Sequence, residues 1–396
     1  MSTADFQKMT SALAGDKRGP LTDLPSVDKV TVLGAGVEAQ ALACMCLSEG
    51  ADVLMFSAYR AELEPLRASG GISVRGDGPV GNYQIDQEAV PSIRLTSELD
   101  AAVDHADVIF VTGPVLKQRT YSLVLAGHLK EGQIIVIAPG RSLGAVEMAW
   151  NLRVGGNSTD VSIVEPGQLP WWVTKDGNTL NLSAIGAAKC GVIPGGSQQV
   201  LAALRPYLPN MTPAPNVIDS GFSDASGFIE VGALMLGGPA MPPGGPDLPV
   251  GGVPLESQAT FRNLIGEHHR AVMRAMAAER REVAARWGVR TVPENKELYE
   301  LNTGAASGDG ARPVPTHDQA VALVRCAVIG SLVPLLSAAN IAGVAAPTTE
   351  AMVSTACAVL GGDLLNAGRR LEAIGIPSGN LDEARRALEA IAAGEA

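Results

Sequence analysis

The stretch Lys29-Val-Thr-Val-Leu-Gly34-Ala-Gly36-Val-Glu-Ala39-Gln-Ala-Leu-Ala43 joins an apolar run of strand formers to a helix-forming run through a glycine turn. Few chain geometries tolerate that join. Gly34 permits a tight turn, Gly36 lets the backbone come close to a ligand, and the small Ala39 lets helix and strand pack together. The helix begun there presents free backbone N–H groups to an anion. The spacing reads as the pyrophosphate-binding turn of a dinucleotide site that also takes in Ala35, Val37 and Glu38. A bare structural turn would use the same residues. What favours the ligand is the next strand, Ala51-Asp-Val-Leu-Met-Phe56, which arrives about twenty residues on and completes a βαβ unit.

In sites of this kind a carboxylate at the tip of the second strand holds the ribose 2′-hydroxyl of NAD. Here Phe56 is followed by Ser57, Ala58, Tyr59 and Arg60. Ser57 can donate to a 2′-phosphate, and Arg60 can pair with it or stack on the adenine. The expected cofactor is therefore NADP, with NAD less favoured. Arg60 would otherwise be a solvated first-turn residue.

A chain of 396 residues is expected to form two domains, each burying its own core. Acidic residues outnumber basic ones by 41 to 30, for a formal net charge of −11, and no basic stripe or aromatic ladder occurs. Nucleic acid and anionic membrane are therefore not expected as partners. A small-molecule substrate is, and a homodimer is compatible with it. Cys44, Cys46, Cys190, Cys326 and Cys357 lack CxxC spacing and read as reduced core residues of a cytoplasmic protein. No H-x-x-H, HExxH or Cys/His cluster points to metal. Residues 1–25 read as a polar arm without an apolar leader, and no run is expected to span a bilayer.

Strand and helix signals alternate up to about residue 205. Val108 to Thr112 reads as a buried strand ending in Gly113-Pro114, and Gln133 to Ala138 as another ending in Pro139-Gly140. Both place a breaker at the carboxyl edge of a parallel sheet, where a doubly wound fold binds its ligand, so Thr112, Gly113 and Pro114 join the cofactor residues. Tyr121 to Leu129 reads as the crossover helix between them. From Asp219 onward the texture changes to long alanine-rich helices, expected over Phe261–Trp287, Asp318–Ala342 and Glu350–Ile374. The Gly/Pro-rich segment from Leu236 to Pro254 is expected to be a loop, either covering a site or bridging helices. Trp171-Trp172 is expected to wall a pocket or to pack between domains.

In these features the chain resembles the octopine/nopaline (opine) dehydrogenases, which reductively condense an amino acid with a 2-keto acid. The resemblance rests on Gly34-Ala-Gly36, Val111 to Pro114, Gly132-Gln133 with Ile137-Ala-Pro-Gly140, and Asn216-Val-Ile-Asp219. It rests also on Ala278-Glu-Arg280 with Val283-Ala284 and Gly288-Val289, and on Gly362-Asp-Leu-Leu-Asn-Ala-Gly368-Arg369 through Gly375-Ile376. It implies an N-terminal Rossmann-type doubly wound α/β sheet at about 26–213 and an all-α substrate domain at about 214–396. The family's catalytic histidine falls on Glu230 and its upstream asparagine on Asp224. Counting back from Leu332-Val333-Pro334, its aspartate falls on Ala327.

The usual His/Asp pair is thus replaced. Glu230, flanked by Phe228, Ile229 and Val231, can act as a desolvated general acid or as counter-charge to a cationic substrate nitrogen, or be a solvated residue at a helix start. Asp224 can serve catalysis or cap a helix. His268 and His269 are adjacent on a helix, so at most one of them can face a cleft as a replacement acid. His317 reads as a helix start. A lysine acid is not expected, because the helical part holds only Lys296. Two readings stay open: an NADP-dependent oxidoreductase reducing an imine, iminium or ketone between the domains, or a non-redox enzyme or ligand sensor that retains the nucleotide.

Overall fold

The computed structural model describes residues 24–236, 259–289 and 292–395. The arm expected at 1–25, apart from Leu24 and Pro25, and the Gly/Pro-rich loop expected after Leu236 lie outside the described residues.

Twelve strands among the described residues form one mixed sheet. They are β1 (Lys29–Leu33), β2 (Asp52–Phe56), β3 (Gly71–Gly76), β4 (Gly81–Ile85), β5 (Ser92–Thr96), β6 (Val108–Thr112), β7 (Ile134–Ala138), β8 (Ser162–Pro166), β9 (Trp171–Asp176), β10 (Thr179–Ala184), β11 (Ala188–Ile193) and β12 (Met211–Pro213). Their spatial order is β12-β11-β8-β7-β6-β1-β2-β5-β4-β3-β10-β9. From β8 across to β5 every pairing is parallel, and the register sets Leu33 beside both Phe56 and Val111, and Thr112 beside Ala138. The carboxyl ends of β1, β2, β6 and β7 therefore share one edge.

The central strands are apolar throughout because both faces are covered. Val30, Val32, Val53, Met55 and Phe110 pack under the glycine-turn helix Val37–Ser48, while Leu33, Phe56, Ile109 and Val111 pack under Tyr121 and Leu125 on the opposite face. The crossover helix runs Val115–Leu125, starting directly after Pro114 and earlier than the sequence suggested. Proline before the first helical residue fixes the entry and leaves no N–H to satisfy.

The second half is helical, as expected, with different breaks. Phe261–Leu264 is a separate 3-10 turn, and the long helix Glu267–Arg286 starts after Gly266. The helix expected at Glu350–Ile374 runs Pro347–Leu360 and stops at Gly361-Gly362, whose φ values of +69° and +94° only glycine adopts at little cost. His317–Ala342 is helical for 26 residues and holds an 18-residue stretch of mean hydropathy 2.0, which by length and composition could cross a bilayer, contrary to the sequence expectation. It is interrupted by a π turn, Val328–Leu332, and packs against Ser226–Leu236, Glu267–Arg286 and Pro347–Leu360. It is a core helix.

One buried cluster is built mainly by the helical part, through Phe228, Val231, Met276, Val324 and Leu332, and Val115 joins it from the crossover helix. Another passes from Leu33, Val111 and Ile137 of the sheet into Phe222, Val283, Trp287, Leu335 and Leu388. The two halves share a core, where the sequence suggested one each.

Candidate functional site

β1 ends at Gly34, whose φ is +124°. A Cβ there would stand 2.3 Å from Thr112 Oγ1, and that hydroxyl donates to the Leu33 carbonyl at 2.7 Å. Thr112 thus props the turn from β6. In front of Gly36 no heavy atom lies within 4 Å of where a Cβ would stand, and the helix Val37–Ser48 begins with no side-chain cap. Open space, uncapped N–H groups and a positive helix end are what a pyrophosphate requires, so the residues present fit a dinucleotide. Ala39 is buried against the sheet, Ala35 and Val37 pack beside it, and Gly113-Pro114 follows β6 at the same sheet edge. Glu38 opens onto this groove yet is crowded by protein. Desolvation raises its carboxyl above the usual range, with its own backbone N–H and Arg141 opposing.

The tip of β2 differs from expectation. Ser57 is buried, its hydroxyl donates to Glu62 Oε2 at 2.6 Å, and its oxygen accepts from the Tyr59 N–H at 3.2 Å. Its proton is not available to a 2′-phosphate. Glu62, one turn into the following helix, supplies the carboxylate that the sequence reading did not find at this tip. Burial would raise the Glu62 carboxyl, but Ser57 and Lys117 outweigh it and hold it below the usual range. Lys117 Nζ lies 3.2 Å from Glu62 and 5.9 Å from the centre of the Tyr59 ring. Arg60 is exposed at the first helical position.

Beyond β7 the chain enters a buried polar network. Arg141 Nη1 donates to Ser226 Oγ at 2.8 Å and to Glu230 Oε2 at 3.1 Å, while Arg312 Nη2 donates to Glu230 Oε1 at 2.7 Å. Arg312 Nη1 continues to the Asn302 carbonyl, and Asn302 Oδ1 accepts from Gln168 of the sheet half. Glu230 is therefore neither a solvated helix-start residue nor a general acid: each carboxylate oxygen is taken by a guanidinium. Asp224 is similarly occupied, accepting from Ser226 N and Oγ on one oxygen and from Ser142 and Ser331 hydroxyls on the other. It caps the helix Ser226–Leu236 and has no vacant oxygen for proton transfer. Ala327 is fully buried in the helical core.

The π turn completes this junction. Its widened turn frees carbonyls, and Gly330 O accepts from the Ser142 N–H at 3.1 Å and from Arg369 Nη1 at 3.1 Å. Arg369, almost wholly buried, also donates to Glu147 and to the carbonyls of Gly140 and Ser142. Behind the same loop, Glu165 Oε2 accepts from the Ala145 N–H at 2.6 Å while Oε1 is buried without a partner. Desolvation pushes the Glu165 carboxyl up to about 8, against the lowering pull of Ala145 and Arg369.

A cavity of about 370 Å³ lies where Gly167, Gln168, Lys189 and Thr212 of the sheet half meet Ser223, Asp224, Glu297 and Asn302 of the helical half. That volume suits a small polar metabolite. Burial holds the Lys189 ammonium below its usual range, with Arg280 adding to the effect and Asp219 and Glu297 opposing. Sequence reasoning set Lys189 aside because it looked for a lysine in the helical half. The available signal was a single charge inside the apolar run Ala187 to Ile193. Arg141 and Arg312 were missed as well, though Arg141 follows the breaker at the ligand edge of the sheet.

The histidines stay outside the cavity. His268 is exposed, and His269 is buried with Nδ1 accepting from the Gly266 N–H at the start of its own helix. Neither faces the cleft as a replacement acid. Trp171 is buried with its indole N–H on the Asp77 carbonyl, whereas Trp172 lies 5.9 Å from the Arg312 guanidinium and packs between the halves. Among the described residues, no group of three or more His, Cys, Asp or Glu side chains could hold a metal.

No family model matches the chain. In sequence it is similar to an opine dehydrogenase of Arthrobacter sp. (strain 1C), 26% identical over 207 residues, covering 49% of this chain and 53% of that protein. The match thus spans about half the length of that relative. In structure it is similar to octopine dehydrogenase in complex with NADH and agmatine, with a TM-score of 0.66, 18% identity, and coverage of 94% of this chain and 99% of that one. It is also similar to NADP+-bound yersinopine dehydrogenase, with a TM-score of 0.56, 13% identity, and coverage of 92% and 98%. The resemblance read from the sequence is matched by these similarities: over about half its length the chain is similar to an opine dehydrogenase, and it has the fold of octopine dehydrogenase, a Rossmann-type α/β part followed by a helical part.

Proposed function

We propose that this chain is a nicotinamide-dependent oxidoreductase that uses NADP and reduces a C=N or C=O carbon of a small polar substrate held between its two halves. The observation that carries the reading is the pairing of an open, uncapped glycine turn with a 370 Å³ cavity walled by both halves. Relatives solved with NADH and with NADP+ support a nicotinamide cofactor. The choice of NADP rests on charge at the tip of β2, where Arg60 and Lys117 together outweigh Glu62.

When bound, the cofactor supplies the hydride. The chain's own work is to bind, orient and move protons. The N–H groups at the start of Val37–Ser48 hold the pyrophosphate, and Arg60 and Lys117 hold the 2′-phosphate. Glu230 holds Arg141 and Arg312 in place as their counter-charge. Lys189, poised by burial and facing the cavity, donates a proton to the oxygen or nitrogen that gains electron density. Glu297, on the opposite wall, offers a counter-charge to a cationic substrate nitrogen.

The test is a spectrophotometric scan of NADPH oxidation with preformed cyclic imines and with keto acid and amine pairs, using wild type and Lys189→Met. Turnover that falls at least about 100-fold in the variant, with NADPH affinity retained, is the expected result. Absence of nicotinamide nucleotide binding by calorimetry would refute the reading, and full activity of Lys189→Met would refute the role of the lysine.

A further inference from the structure

Arg280, on the long helix Glu267–Arg286, is only 3% exposed. Nη1 donates to the Phe222 carbonyl at 2.7 Å, and the guanidinium lies 5.4 Å from the centre of the Phe228 ring. Nε and Nη2 are buried with no hydrogen-bond partner. These two groups share one edge of the planar guanidinium, the edge whose parallel N–H bonds match the two oxygens of a carboxylate. A buried charge with three of its five N–H donors unmet is a costly omission, and folds seldom keep one without water or a ligand to meet it.

Arg280 lines a small cavity of about 20 Å³, above the ~10–15 Å³ that one water needs on that measure. Its walls include Ser142, Phe222, Asp224, Phe228 and Ser331. Asp224 acts on Arg280 through its charge, but its oxygens are taken by Ser142, Ser226 and Ser331, and it makes no ion pair with Arg280. Burial pulls the Arg280 guanidinium down to about 10, with Asp224 opposing, so it remains a cation at neutral pH. Both walls of the junction contribute, Ser142 from the loop after β7 and Ser331 from the π turn.

We propose that the Nε/Nη2 edge of Arg280 is a binding site for a small carboxylate group. The site stands on the unmet guanidinium edge alone; that the carboxylate belongs to the reducible substrate rests on the function proposed above. The ligand keeps both N–H bonds straight by entering head-on with its two oxygens, and a neutral amide of the same shape loses the charge-assisted half of the contact.

The experiment follows the side-chain ¹⁵Nε–H resonances of the arginines in the full-length, nucleotide-free protein, with Arg280 assigned by comparison with Arg280→Lys. Formate and acetate are the probes, and acetamide and chloride the controls. Saturable movement of the Arg280 resonance by formate and acetate is expected, with acetamide and chloride inert. In calorimetry Arg280→Lys, which keeps the charge and loses the fork, should bind formate at least about tenfold more weakly. The proposal is overturned if neither carboxylate saturates, if chloride acts equally, or if the lysine variant binds formate like wild type. A structure of the wild-type protein in formate that shows only water on that edge would overturn it without reference to any variant. NADPH binding, measured in the same preparation, separates this outcome from the failure of the redox reading.

Discussion

Replacing Glu230 by glutamine tests the central claim about the site, that this carboxylate holds two buried guanidiniums together. Its side chain is 5% exposed, and those of Arg312 and Arg141 are 6% and 10% exposed. Glutamine keeps the shape but gives up the charge. Its amide oxygen can accept from one arginine only, and its NH₂ then faces the other, donor against donor. Breaking a buried pair from one side typically costs ~3–5 kcal/mol, because the remaining charge is left uncompensated. With ~2–4 °C lost per kcal/mol in a cooperative unit of ~150–250 residues, the melting temperature should fall by roughly 10 °C. Thermal unfolding by circular dichroism at neutral pH reads this directly, and because the pair is shielded from solvent, added salt should barely change the difference. In a double-mutant cycle, Arg312→Met should cost less on the Glu230→Gln background than in wild type, by at least ~1 kcal/mol. Replacing all three residues by apolar ones of similar volume should restore much of the loss. A melting temperature lowered by less than about 2 °C, or additive single variants, would refute the reasoning.

The remaining predictions concern the cofactor groove and a buried acid. Gly36→Ala should fold with unchanged stability, since its Cβ meets open space, yet weaken NADPH binding at least about tenfold in calorimetry by intruding on the pyrophosphate. Gly34→Ala should instead destabilise by about 1–3 kcal/mol in urea titration, since its Cβ meets Thr112 at a backbone angle only glycine favours. Arg60→Ala and Lys117→Ala should each weaken NADPH more than NADH, and Glu62→Gln should widen the preference for NADPH; tighter NADH binding by wild type would reverse the assignment. For Glu165, raised to about 8 by burial, the folded protein keeps a proton that the unfolded chain releases above the ordinary carboxylate range. Stability is therefore lost as pH rises from about 4.5 toward 8, by a few kcal/mol in total. Glu165→Gln lacks this loss, so melts at pH 5 and 7.5 should show the variant gaining on wild type, and parallel pH profiles would contradict it.

What could be read from the sequence follows contact distance along the chain. The glycine turn, β1, β2, β6 and β7 are legible because apolar runs and breakers within a few residues specify them. The far edge of the sheet is not, since β10 pairs in parallel with β3 about a hundred residues away and neither strand is strongly apolar. Helix existence in the second half was legible from periodicity, but its interruptions were set by Gly361-Gly362 and by packing at the π turn. The roles of Glu230 and Ser57 were misread for one reason: the groups that occupy them arrive from elsewhere. Arg141 and Arg312 are 89 and 82 residues from Glu230. Glu62 is only five residues from Ser57, yet it reaches back across a helix start that a search for an acid at the strand tip does not scan.

The widened turn at Val328–Leu332 also bears on how this chain is aligned with its relatives. A π turn holds one residue more than an α turn, and one residue corresponds to about 100° of rotation. The helix His317–Ala327 is thus turned relative to Val333–Ala342, and counting back through the turn from Leu332-Val333-Pro334 loses the register. Ala327 points into the helical core, whereas one step earlier the Cys326 thiol lies beside the Val115 N–H and within electrostatic reach of Arg141, Glu230 and Glu38. On this helix, then, Cys326 and not Ala327 is the position next to the Arg141 and Glu230 charges. Residue correspondence across this helix has to be drawn by superposition: a relative without the extra residue presents a different position to the same point in space, and deleting one residue from the turn would swing a new side chain into it.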